Sequence, residues 1–194
     1  AQKMPGNSIG IYGGNSSYIP VPSIDLCEVR NRGAIPLEHL AVVADAVTTP
    51  YQAAKRADLQ PGDNVIIIGV TGGVGVYVAQ MANALGAKTV IGLARNPEKL
   101  QRALKYGADF VISTQDKQIK DIRNEFREIC KKNGLEAGFG WKIFEVSGIK
   151  AGQDLALELL SFTGKLILIG FGMAKNEYSI SRLMAFDAEM IGTW

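Results

Sequence analysis

Asn64-Val65-Ile66-Ile67-Ile68-Gly69-Val70-Thr71-Gly72-Gly73-Val74-Gly75 is the stretch that decides the fold. It opens with a continuous apolar run, Asn64–Gly69, of the kind expected for a strand buried on both faces. It ends in a glycine-rich turn that leads directly into a helical pattern. Glycine serves such a turn in three ways: the chain can bend sharply, a pyrophosphate can approach the backbone, and helix can pack close on strand. The unpaired N–H groups at the helix start, with the helix dipole, then favour an anion. Gly69, Thr71, Gly72, Gly73, Val74 and Gly75 are therefore the candidate cofactor-binding residues. Counted from Gly69, the spacing is one residue longer than a strict GxGxxG.

Working downstream, the predicted helix Val74–Leu85 carries an apolar stripe of Val74, Val78, Met81, Ala82 and Leu85. Further strands are predicted at Lys88–Ala94, Phe110–Thr114, Trp141–Val146, Lys165–Phe171 and Glu189–Trp194. Helices are predicted between them, from Asn96-Pro97 to Lys105 and over Lys117–Lys132, Ala151–Leu160 and Ile180–Phe186. This alternation predicts an α/β fold: a doubly wound, parallel six-stranded Rossmann sheet in the order 3-2-1-4-5-6. Ligands of such a sheet bind outside the carboxyl ends of the strands, where the order reverses. The fingerprint expects an acidic residue about 20 positions after the turn, to hold a ribose 2′-hydroxyl. That position holds Ala94-Arg95. An arginine without a carboxylate suits a 2′-phosphate, and equally Arg95 can be a loop residue beside bound NAD. NAD and NADP both stay open.

Upstream, Pro36 to Ala57 reads as helical, interrupted over Asp45–Thr49. Pro61-Gly62-Asp63 is a turn. Residues 1–30 hold Pro5, Gly10, Gly13, Gly14, Pro20 and Pro22 around a β-like stretch, Ser17–Val21. That is too little for a domain. It reads as strands borrowed from a region not present, and the start at Ala1 fits a fragment, or else the clipping of an initiator Met before Ala. The expected division is a remnant at 1–30 and a dinucleotide-binding domain at 31–194.

The chain has 194 residues, 47% hydrophobic and 21% charged, with a net charge of +2. That composition excludes a disordered or collagen-like chain. The near balance of charge disfavours a nucleic-acid or membrane-surface binder. No apolar run approaches the roughly 18 residues of a membrane span, and the N-terminus does not read as a signal peptide. Cys27 and Cys130 form no CxxC pair and are expected to be free, buried thiols in a reducing cytoplasm. His39 is the one histidine, expected on a helix.

Three segments together resemble the medium-chain dehydrogenase/reductase family, of the zinc-dependent alcohol dehydrogenase type. They are Val42–Ala53 (VVADAVTTPYQA), Leu59–Asp63 (LQPGD) and the glycine turn itself. Gly13–Pro22 (GGNSSYIPVP) resembles the end of that family's GroES-like catalytic domain. The narrower resemblance is to the hydroxycyclohexene-carbonyl-CoA dehydrogenases of anaerobic aromatic degradation.

The resemblance implies hydride transfer between an alcohol or ketone, in the narrower match a CoA thioester, and NAD or NADP. It implies zinc assistance in a full-length enzyme, with zinc absent from this piece and little or no turnover by the piece alone. Asp45, four residues before Thr49, falls at a metal-ligand position of the family. Read from the residues alone, Asp45 is rather a cap of the following helix; the resemblance reverses that. Thr49 would sit beside the nicotinamide as the catalytic-site residue, and Val74 behind its ring. Gly170, Phe171 and Gly172 would run along its edge. The strand at Glu189–Trp194 would join two copies into a homodimer. The segment that carries the other zinc ligands in the family is not in this sequence, nor is the four-cysteine structural lobe. The longer glycine turn points to a rival within the family, the zinc-free NADPH-dependent quinone and enoyl reductases. A rival of another class is a nucleotide-binding domain with no chemistry.

Overall fold

The computed structural model describes residues 13–173 and 175–194. Ala1, Pro5 and Gly10, which entered the expectation for the N-terminal segment, lie outside them. The chain divides into two compact units, Ala1–Glu38 and His39–Trp194.

The described residues of the smaller unit carry the 3-10 turn Ser23–Asp25, the start of a second 3-10 segment at Leu37, and no strand. The β-like stretch Ser17–Val21 is irregular. Tyr18 is 93% exposed and Ile19 and Val21 are also exposed. An extended segment becomes a strand only when a neighbour takes its backbone hydrogen bonds. None does so here among the described residues. Cys27 is exposed, not buried as expected.

A 3-10 segment, Leu37–Val42, carries the chain across the division at Glu38 and holds an exposed His39, and a π-helical segment, Val43–Val47, follows in the larger unit. Helix α1, Thr48–Arg56, follows without a break, so the expected interruption over Asp45–Thr49 is a change of helical pitch.

Six parallel strands then build one sheet: β1 Asn64–Ile68, β2 Thr89–Ala94, β3 Phe110–Ser113, β4 Lys142–Glu145, β5 Lys165–Leu168 and β6 Glu189–Gly192. Their order is β3-β2-β1-β4-β5-β6, as the sequence predicts. The crossovers are α2 Gly73–Ala84, α3 Pro97–Lys105, α4 Ile119–Lys132, α5 Lys150–Leu159 and α6 Ile180–Ala185. Most strands stop a residue or more short of the predicted carboxyl ends. β1 stops because Gly69 turns the chain at φ +90°.

The apolar run of β1 is explained by its two faces. Val65 and Ile67 pack with Val78, Ala79 and Ala82 of α2, Leu100 of α3, and Ala53 and Ala54 of α1. Ile66 and Ile68 pack on the opposite side with Ile122 and Phe126 of α4 and Leu155 of α5. Each such isoleucine contributes about 1.5–3 kcal/mol relative to exposure. Helix α3 begins as Asn96-Pro97 suggests: the Asn96 side chain accepts from the Lys99 N–H at 2.9 Å. The α4 stripe Ile119, Ile122, Phe126 and Ile129 faces the core, joined by buried Cys130. Burial, and secondarily the Glu136 carboxylate, pushes the Cys130 thiol up to about 11. It therefore stays protonated and unreactive near neutral pH.

Candidate cofactor site

The carboxyl end of β1 and the start of α2 form the turn that the sequence singles out. The N–H of Gly72 donates to the Gly69 carbonyl at 3.0 Å, and the N–H groups of Gly69 and Val70 donate to Leu93 of β2. This folds the turn back against the neighbouring strand. Gly75 lies in the first turn of α2. A Cβ there would lie 2.9 Å from the carbonyl carbon of Gly69 and 2.9 Å from the Cα of Val70. Only glycine lets the helix start so close to the strand end.

Gly72 is the N-cap of α2 and no side chain caps the helix. The first intrahelical bond here is from Val76 N–H to Gly72. The N–H groups of Gly73, Val74 and Gly75 thus open the helix with no acceptor among the described residues. A twelve-residue helix with an uncapped, glycine-lined start offers an anion both its amides and its dipole. The residues present therefore fit a diphosphate. Gly72 and Gly73 are exposed, Thr71 and Val74 half-buried.

A cleft of about 250 Å³ opens beside this turn, lined by Thr71, Gly72 and Gly73 on one side and Lys99, Arg102 and Tyr106 of the α3 region on the other. Sequence reasoning missed Lys99 and Arg102. Nothing in the spacing of the α3 charges marks them, and only the packing of α2 and α3 on one face of the sheet turns two of them toward the glycine turn. Ala94 closes β2 half-buried. The Arg95 side chain is exposed and not among the residues lining this cleft, while its carbonyl accepts from the Ser113 hydroxyl at 3.0 Å. A larger groove, about 610 Å³, runs along Glu158, Arg182 and Met184 by α5 and α6, away from the glycine turn.

At the carboxyl ends of β4 and β5, two more turns meet backbone to backbone. A Cβ on Gly170 would lie 2.6 Å from Gly148 Cα, and one on Gly172 would lie 3.0 Å from the Gly148 carbonyl carbon. Phe171 between them is 85% exposed. Gly69 joins the same contact, since its Cβ would be 3.1 Å from Ser147 N. The turns after β1, β4 and β5 therefore pack side by side at the point where strand order reverses.

Asp45 and Thr49 belong to the same unit, on the π-helical segment and α1, both of which pack on α2. The Thr49 hydroxyl donates to Asp45 Oδ1 at 3.0 Å. Asp45 does not cap α1, whose N-cap is Val47 with no side-chain bond. Its carboxylate is exposed, held one helical turn from Thr49 at a π-bulge, a geometry frequent at functional sites. No group of three or more His, Cys, Asp or Glu side chains converges to hold a metal among the described residues.

Residues 73–194 match the family described as zinc-binding dehydrogenase. The NAD-dependent alcohol dehydrogenase of Sulfurisphaera tokodaii is 27% identical over 182 residues, 93% of this chain and 49% of that protein. Galactitol-1-phosphate dehydrogenase from Escherichia coli superposes with a TM-score of 0.71 at 26% identity, over 83% of this chain and 44% of that one. The quinone oxidoreductase from Thermus thermophilus, solved also in complex with NADPH, superposes with a TM-score of 0.65 at 29% identity, over 83% of this chain and 48% of that one. The chain thus spans about half the length of the curated relatives it matches. Its six-stranded order, its glycine turn and the match over more than half its length lead to one conclusion: the chain belongs to the zinc-binding dehydrogenase family.

Proposed function

We propose that this chain is the NAD(P)-binding part of an alcohol dehydrogenase that moves hydride between an alcohol or ketone and a nicotinamide. The observation that carries this is the start of α2: uncapped amides on a glycine turn that admits no Cβ at Gly75. The amides of Gly73, Val74 and Gly75 would take the diphosphate, and Lys99 and Arg102 would add positive charge beside it. Ala94 and Arg95 would flank the adenosine ribose. The nicotinamide half would lie over the packed turns of Gly69, Gly148 and Gly170, with Val74 behind the ring, Thr49 beside it, and Phe171 and Gly172 at its edge. A nicotinamide bound there supplies the hydride acceptor or donor. The chain's own work is placement and electrostatics.

The described residues do not by themselves make a zinc site, and no step of the placement above depends on one. Zinc assistance would require ligands from beyond these residues, with Asp45 supplying one carboxylate oxygen. A CoA-thioester substrate is the narrower form of the same proposal.

Calorimetric titration of the chain with NADH and with NADPH tests the reading. Binding of either at micromolar concentration is the expected result, and a folded chain that binds neither would overturn it. The cationic cleft without a carboxylate at the end of β2 favours a second reading, an NADPH-dependent quinone or enoyl reductase. A preference for NADPH of about tenfold or more would favour that one.

We further propose a homodimer through β6. This strand is one edge of the sheet, and an edge presents unpaired backbone groups to a second copy. Sedimentation equilibrium is expected to give twice the chain mass; monomer at every concentration would count against it.

A further inference from the structure

The end of β4 holds a charged side chain that the proposed function leaves unused. Glu145 is fully buried, the one acidic residue of the sheet with no exposure. It pairs with no lysine or arginine among the described residues. Burying a carboxylate without a cation is costly unless hydrogen bonds satisfy it. Here they do, and all come from the next three residues. Oε1 accepts from the Ser147 N–H at 2.8 Å, from the Ser147 hydroxyl, and from the Gly148 N–H at 3.3 Å. Oε2 accepts from the same Gly148 N–H at 3.2 Å. Space for the carboxylate is kept by Gly152 of α5, whose Cβ would lie 2.8 Å from Oε1.

This arrangement ties down one loop. Ser147 and Gly148 touch Gly69 on one side and Gly170 and Gly172 on the other. The carbonyl of Glu145 also accepts from the N–H groups of Ile169 and Gly170, at 2.9 and 3.0 Å. The side chain thus fixes the turn after β4, and the backbone of the same residue fixes the start of the turn after β5. Both turns belong to the second half of the doubly wound sheet. The first half, with the glycine turn and the α3 cations, is held by bonds to Leu93 that do not pass through Glu145.

We propose that Glu145 is a positioning residue for the nicotinamide half of the cofactor, acting through the Ser147-Gly148 loop. It touches no reacting atom. The proposal rests on the cofactor reading above. Two nucleotides separate its effects, because ADP occupies only the adenosine half while NADH needs both halves.

In Glu145→Gln an amide oxygen in the Oε1 place keeps the Ser147 bonds, but the N–H₂ then faces the Gly148 N–H, so the loop turns away at Gly148. Ser147→Ala removes one donor, leaves the carboxylate in place and keeps the fold. Calorimetric titrations of the whole chain and both variants, each with NADH and with ADP, test the assignment, with thermal unfolding run alongside. Glu145→Gln is expected to lose about tenfold or more in NADH affinity and less than about twofold in ADP affinity. Ser147→Ala should show the same split at smaller size. Equal losses for the two nucleotides in both variants, or no loss in either, would overturn the assignment. An unaltered chain that bound neither nucleotide would overturn the cofactor reading itself, and the assignment with it. If Glu145→Gln does not fold, the split or its absence in Ser147→Ala decides.

Discussion

Gly75→Val is expected to lower affinity for NADH about 100-fold or more, while costing the fold about 1–3 kcal/mol. The argument starts from two distances. A Cβ at this position would lie 2.9 Å from the Gly69 carbonyl carbon and 2.9 Å from Val70 Cα. Both obstacles are backbone, so no rotamer change relieves the overlap. Either the turn or the first turn of α2 must move away. The body of α2 is anchored by buried Val78, Ala79 and Ala82, so displacement concentrates at the helix start. That is where the uncapped N–H groups sit. Hydrogen bonds from a helix start to a diphosphate depend on their shared aim, and a shift of about 1 Å is enough to lose most of it. Gly73→Ala is the control: its Cβ meets nothing within 4 Å, and its thermal unfolding should match that of the parent chain. Titration of Gly75→Val with NADH checks the expectation. Parent-like affinity in a folded Gly75→Val would remove the helix start from the cofactor site.

Strand order and the position of the glycine turn were legible because each rests on a local rule. An apolar run such as Val65–Ile68 needs cover on both faces, and the helical stripes supply it. Ser17–Val21 has strand-forming residues but no partner among the described residues, and composition cannot supply one. The Asp45 region was legible as a discontinuity but not as a π-helix, since pitch depends on how α1 and the segment before it seat against α2. Lys99 and Arg102 were invisible for a different reason. On α3 they look like any solvated charges, and only tertiary packing brings them to the glycine turn. Glu145 carried a signal that could have been used. A carboxylate inside the run Trp141–Val146 breaks an otherwise apolar strand, and the Ser147-Gly148 pair after it offers hydrogen-bond donors.

Trp141→Ala is expected to show the opposite signature to Gly75→Val: a loss of about 3–5 kcal/mol in stability with cofactor affinity unchanged in the protein that remains folded. Trp141 immediately precedes β4 and is fully buried. Its ring meets Phe126 of α4 edge-on, with centroids 5.0 Å apart, and its indole N–H donates to the Glu136 carbonyl at 2.8 Å. Its backbone N–H donates to the Ser161 hydroxyl at 3.1 Å. Truncation empties a ring-sized space between α4 and the sheet and leaves the Glu136 carbonyl without that donor. In a domain whose whole stability is about 5–15 kcal/mol, such a loss lowers the unfolding midpoint by about 10 °C. Trp141→Phe keeps a ring in place and gives up the indole donor, so it is expected at about 1–2 kcal/mol. The site escapes because of direction along the strand. Trp141 lies at the amino end of β4, and the strand puts roughly 13 Å between it and the carboxyl-end turns. Thermal unfolding and NADH titration of both variants check this. A large fall in NADH affinity for folded Trp141→Phe would mean that the amino end of β4 is coupled to the turns at its other end.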